Sequence, residues 1–135
     1  MKIKLIMDEK RAVLLMQACE TLARLGMSQF KELAELMSPM ISWDEKTEIE
    51  RYLKEKLTPD LSQGAFNSMH SQRVPEQCQV AWDAYQHLRR EVSWHGAGKD
   101  WRTDQRDWKA MTGVHYDEPF KASKLEGDFK VEKSE

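Results

Sequence analysis

The sequence predicts a mainly α-helical fold: three to four helices in a small bundle, with a minor two-stranded β ribbon formed by the N-terminal strand and residues near 113–117. Three observations predict it. Apolar residues recur at helical period through much of the chain. Capping residues Asp8, Ser28 and Ser42 stand at the head of those stretches. Terminators close them at Gly26, Ser38-Pro39, Thr58-Pro59 and Gly96-Ala97-Gly98. With 135 residues the chain can build one modest core. A single helical domain is expected over 1–120, and a frayed tail over 121–135, where apolar anchors are few.

Residues 2–7 alternate, with Ile3, Leu5 and Met7 on one side, and read as a short strand or arm. Asp8 then caps a first helix from about Glu9 to Leu25, with Glu9 favoured by the helix dipole. Its stripe is Ala12, Leu15, Met16, Cys19, Leu22, Ala23 and Leu25; Val13 and Leu14 widen it, which predicts burial on more than one side. Gly26 is expected to end this helix in the left-handed region. Ser28 caps a second, shorter helix carrying Phe30, Leu33, Ala34, Leu36 and Met37, which Ser38-Pro39 closes. A third helix starts near Ser42 or Asp44 and ends near Leu57, with Ile49, Tyr52, Leu53 and Leu57 on its apolar face and a solvated Glu/Lys face opposite. Residues 58–74 form a long polar loop, which Phe66 and Met69 can either tether or use to reach a partner. Pro75 opens a fourth helix to about Trp94, with Ala81, Ala84, Tyr85, Leu88 and Val92 inward. Beyond it, Lys99 to Met111 has room for a turn or two of helix placing Trp101 and Trp108 on one face, and residues 113–116 read as a short strand.

Charged residues make up 33% of the chain and the net charge is −2, which argues against a protein that coats nucleic acid indiscriminately. Cys19 and Cys78 lie far apart and imply no disulfide framework, so a reducing, cytoplasmic setting is expected. No apolar run is long enough to span a membrane. The eight methionines suit adaptable packing at a self-association surface, and a homo-oligomer, most simply a dimer, is expected.

The chemistry-bearing motifs are thin. Gly96-Ala97-Gly98-Lys99 ends like a phosphate-binding loop, but Ser93 stands where the first glycine belongs and Asp100 follows the lysine, so a helix cap fits better. The histidines His70, His87, His95 and His115 lack the spacing of a closed metal site. Cys78 and His87 sit about 13 Å apart by helical rise, too far for a nucleophile–base pair. Asp100, Asp104 and Asp107 fit an ion-paired surface better than an acid–base pair. No enzyme, cofactor or metal is expected.

The segment from Trp82 to Trp108 stands apart, since it holds four of the five tryptophans among arginines and a tyrosine. Indole rings stack on bases and guanidinium groups bind phosphate. The same residues also serve as hot spots for a protein partner.

Leu25-Gly26-Met27-Ser28-Gln29-Phe30, Trp82-Asp83-Ala84-Tyr85-Gln86-His87-Leu88-Arg89 and Gly113-Val114-His115-Tyr116-Asp117-Glu118-Pro119 resemble stretches of small accessory proteins encoded by bacteriophages and prophages. The resemblance implies a protein of the host-cell cytoplasm with a counter-defence or host-takeover role. Some such proteins sequester nucleotide signals and others plug a host protein. The leading expectation is capture of a small anionic, nucleotide-like ligand. Trp82, Tyr85, Trp94 and Trp101 would give stacking faces, and Arg89, Arg90, Lys99 and Arg102 would neutralise phosphate. The alternative is a protein-interaction inhibitor using that surface. A DNA-binding regulator is disfavoured by the acidic balance.

Overall fold

The computed structural model describes residues 1–95, 99–100, 105–106 and 129–132, with side chains over 1–92 and 129–132. Four helices follow one another: α1 (Glu9–Gly26), α2 (Lys31–Met37), α3 (Trp43–Leu57) and α4 (Glu76–His95). β1 (Lys99–Asp100) then pairs antiparallel with β2 (Gln105–Arg106). This is not the expected ribbon. Residues 1–7 form no strand, and their expected partners at 113–117 lie outside the described residues.

α1 starts where its sequence directs. The Asp8 carboxylate accepts from the Arg11 backbone N–H at 2.9 Å, satisfying a donor the helix itself leaves free. α1 packs on α4, and the two run antiparallel: Gly26 meets Cys78 at one end, while Glu20 approaches Tyr85 toward the other. Their seam is built from small and flexible side chains. Ala23, Met27, Cys78 and Ala81 are buried there with Met69 and Val74, and Cys19 and Trp82 pack against them.

Gly26 is not the left-handed residue the sequence led us to expect. It lies inside α1, and the chain reverses at Ser28, whose φ is +65°. The glycine serves packing instead. A Cβ there would stand 2.5 Å from Cys78 Cβ and 2.7 Å from its Sγ. Ser28 is buried in its strained conformation and held by Asn67, whose Nδ2 donates to Ser28 Oγ at 3.3 Å.

Nor does Ser28 cap α2. The cap position belongs to Phe30, which offers no side-chain acceptor. Glu50 of α3 supplies one from across the fold, accepting from the N–H groups of Phe30 at 2.9 Å and Lys31 at 3.3 Å. That tertiary cap joins α3 to α2. Ser42 caps α3 as expected, accepting from Glu45 N–H at 3.2 Å.

Two expected apolar faces turn outward. On α1, Leu14, Leu15 and Leu22 are exposed, so burial on more than one side is not what this helix does. On α3, Ile49, Tyr52 and Leu57 are exposed, while Lys54, from the face read as solvated, is only 3% exposed. Its Nζ donates to the carbonyls of Gln63 at 2.8 Å and Ala65 at 2.6 Å. The polar segment 58–75 is thereby fastened to α3. Further fastenings are Asn67 N–H to the Met27 carbonyl at 3.0 Å, Gln79 Nε2 to the Met69 carbonyl at 3.1 Å, and an Arg73–Asp60 ion pair. Met69 tethers the segment as expected, whereas Phe66 points to solvent.

Candidate functional site

Of the eight residues expected to form a ligand site, the structure describes the side chains of four, all on α4. Tyr85 is buried, and Trp82, Arg89 and Arg90 are half-buried. The side chains of Trp94 and Lys99, and Trp101 and Arg102 altogether, lie outside the described residues. Trp82, Tyr85 and Arg89 are brought together. The Trp82 and Tyr85 rings lie 5.2 Å apart at 46°, and the Arg89 guanidinium sits 5.7 Å from the Tyr85 ring centroid. Tyr85 is only 7% exposed, so it packs against its neighbours and presents no open stacking face.

A charged knot that sequence reasoning missed adjoins this cluster. Arg24 Nε donates to Glu20 Oε1 at 3.0 Å, its second terminal nitrogen meets the same oxygen at 2.8 Å, and its first reaches Gln29 Oε1 at 2.6 Å. Glu32 of α2 lies 2.8 Å from Arg24 Nε. One guanidinium is thus matched by two carboxylates and an amide, and an incoming anion would have to displace them. The knot ties the end of α1 to the first turn of α2. The signal available in the sequence was the Glu20/Arg24 spacing of one helical turn.

Burial pulls against the charge of Arg24, but its hydrogen bond to Glu20 and the charges of Glu32 and Glu20 hold its pKa above the usual guanidinium value. Burial, then the Glu20 charge, pushes the Glu32 carboxyl up against the pull of Arg24. Burial and the Glu20 charge likewise raise the Tyr85 phenol, with Arg89 and Arg24 opposing. A phenol raised in the folded state stabilises it fully below the unfolded value of about 10, and that contribution disappears as pH climbs through the folded value. Ultraviolet titration should therefore show a phenol phase above the ordinary tyrosine range, and Tyr85→Phe should remove that late phase. A late phase that survives the substitution would contradict the assignment.

A cavity lies elsewhere. A recess of about 610 Å³ opens where the end of α1 meets α2, α3 and the 58–75 segment. Leu25, Leu33, Leu53 and Leu57 line it, Ser28 and Asn67 contribute polar atoms, and Asp60 and Arg73 also border it.

A third surface is the turn between α2 and α3. Leu36, Met37, Met40 and Trp43 all point outward there, 65%, 77%, 95% and 66% exposed. Lys31 Nζ sits 4.3 Å from the Trp43 ring centroid and 3.8 Å from Glu50 Oε1, so the charge beside the patch is already paired. Sequence reasoning passed over it. The signal was a cluster of apolar residues straddling Pro39, where a turn is ordinarily polar.

No protein-family model, curated protein sequence or solved structure matches this chain. No helix among the described residues is long and apolar enough to cross a membrane.

Proposed function

We propose that this chain is a non-catalytic binding protein that associates with another protein through the α2–α3 turn. One observation supports the reading: Leu36, Met37, Met40 and Trp43 are exposed together, while the α1–α4 core is assembled from alanines, a cysteine, methionines and a valine. Large apolar residues gathered on a surface mark an interaction site. Tryptophan is the residue most enriched at binding hot spots, and methionine adapts to irregular partners. The patch suits an apolar recess on a partner. A host protein carrying such a recess agrees with the host-takeover role that the phage resemblance implies.

The test is affinity capture from bacterial lysate by the wild-type chain and by a Met40→Asp/Trp43→Ala variant. A stoichiometric partner held by the first and lost by the second is expected. A partner held equally by both would overturn the reading.

A second reading, capture of an anionic nucleotide-like ligand beside α4, is favoured by one atom. Trp82 Nε1 is buried and has no hydrogen-bond partner among the described residues. A buried donor without an acceptor costs about 1–3 kcal/mol, which a ligand oxygen would restore. In that case nucleotides raise the melting temperature of both proteins alike, and Trp82→Phe abolishes the effect.

A further inference from the structure

We infer that two copies of this chain form a symmetric dimer in which their α1 helices cross antiparallel at Ala18 and each N-terminal arm enters the recess of the other copy. The inference concerns a different surface from the α2–α3 turn and does not depend on it.

Beyond Glu9 and Lys10 in the first turn, the exposed positions of α1 are Arg11, Leu14, Leu15, Ala18 and Leu22. Arg11, Leu14, Ala18 and Leu22 recur at spacings of three and four on one stripe, which Leu15 widens, and Leu25, the next position on it, lines the recess. The stripe is nearly symmetric about Ala18. An antiparallel second copy sets Leu14 against Leu22, Arg11 against Leu25, and Ala18 against itself. The small side chain at the centre lets the backbones approach, and the contact is self-complementary, as a two-fold interface requires.

The arm supplies the rest. Ile3, Leu5 and Ile6 are 72%, 68% and 75% exposed and precede α1 directly. From Asp8 to Leu25 the helix rises about 25 Å. An arm folded back from Asp8 spans about 16 Å at Ile3, so its apolar residues fall short of their own recess. In the antiparallel pair, Asp8 lies beside residue 28 of the second copy, and the arm begins at that copy's recess. The apolar walls there, Leu25, Leu33, Leu53 and Leu57, match its side chains.

The area is sufficient. The exposed parts of Met1, Ile3, Leu5, Ile6, Leu14, Leu15 and Leu22 amount to about five fully exposed large side chains. That is on the scale of the roughly 800 Å² per partner buried in stable interfaces.

Sedimentation equilibrium should find a dimer at micromolar concentration. Leu22→Asp and Leu5→Asp, at exposed positions that leave helix content unchanged, should each weaken it about a hundredfold, because symmetry counts every substitution twice. Oxidation of an Ala18→Cys/Cys19→Ala chain should link two copies covalently, since α1 meets itself at that position alone. A wild-type chain that stays monomeric, a dimer indifferent to Leu22→Asp or to Leu5→Asp, or a dimer that Ala18→Cys does not link would each overturn the inference. Partner capture through Trp43 would stand regardless.

Discussion

Gly26→Ala is expected to destabilise the fold by about 2–3 kcal/mol, the upper range for overpacking a tight contact. In an ordinary helix the same change is favourable by up to about 1 kcal/mol, because alanine is the better helix former. The sign reverses here because the new methyl would stand 2.5 Å from Cys78 Cβ and 3.2 Å from Val74 Cγ1. Cys78 Cβ is fixed to the α4 backbone and cannot swing aside, so the helices must separate. Separation loosens Ala23, Met27, Cys78 and Ala81 together. Urea unfolding of Gly26→Ala, Cys78→Gly and the double variant checks it. The double variant should be more stable than the two single losses predict, since the clash needs both carbons. Strict additivity would show that the helices do not meet at this point.

Lys54→Met is expected to cost about 1–3 kcal/mol, although it replaces a charged residue by an apolar one of similar length. A buried carbonyl left without a donor costs about 1–3 kcal/mol, and one that water can reach costs less. Two are released, Gln63 and Ala65, and among the described residues no carboxylate pairs with Lys54 to share its role. The loss should be local first. Amide exchange over 58–75 should accelerate before that of α1 and α4, because the amine is what draws this segment onto α3. A change of about 0.5 kcal/mol or less, with exchange unaltered, would mean that the turns of the segment hold it unaided.

The helices were legible and their partners were not. Asp8, Ser42 and Pro75 mark three starts correctly because caps are local chemistry. Apolar period says which residues share a side of a helix, but not whether the fold covers that side. Leu14, Leu15 and Leu22 were therefore read as core, yet α4 packs along Cys19, Ala23 and Met27. The Glu50 cap and the Lys54 clamp reach across the chain, and a Glu/Lys-rich helix gives no sign of which charge turns inward. Gly26 was read as a turn residue because a glycine after a helix usually is one. Its real role depends on Cys78, far along the sequence. For the site, Trp82, Tyr85 and Arg89 meet one another beside the Arg24 knot, a contact between side chains and not a ligand recess.

The account holds that the bulky apolar residues of the α2–α3 turn serve a partner and not the core. Equilibrium unfolding of Met40→Asp/Trp43→Ala addresses this most directly. Side chains exposed to water in the free protein contribute little to its folding, so the variant should match the wild type to within about 0.5 kcal/mol. A loss of several kcal/mol, on the scale of about 2–5 kcal/mol for truncating a buried side chain, would place Met40 and Trp43 in the interior and contradict the account.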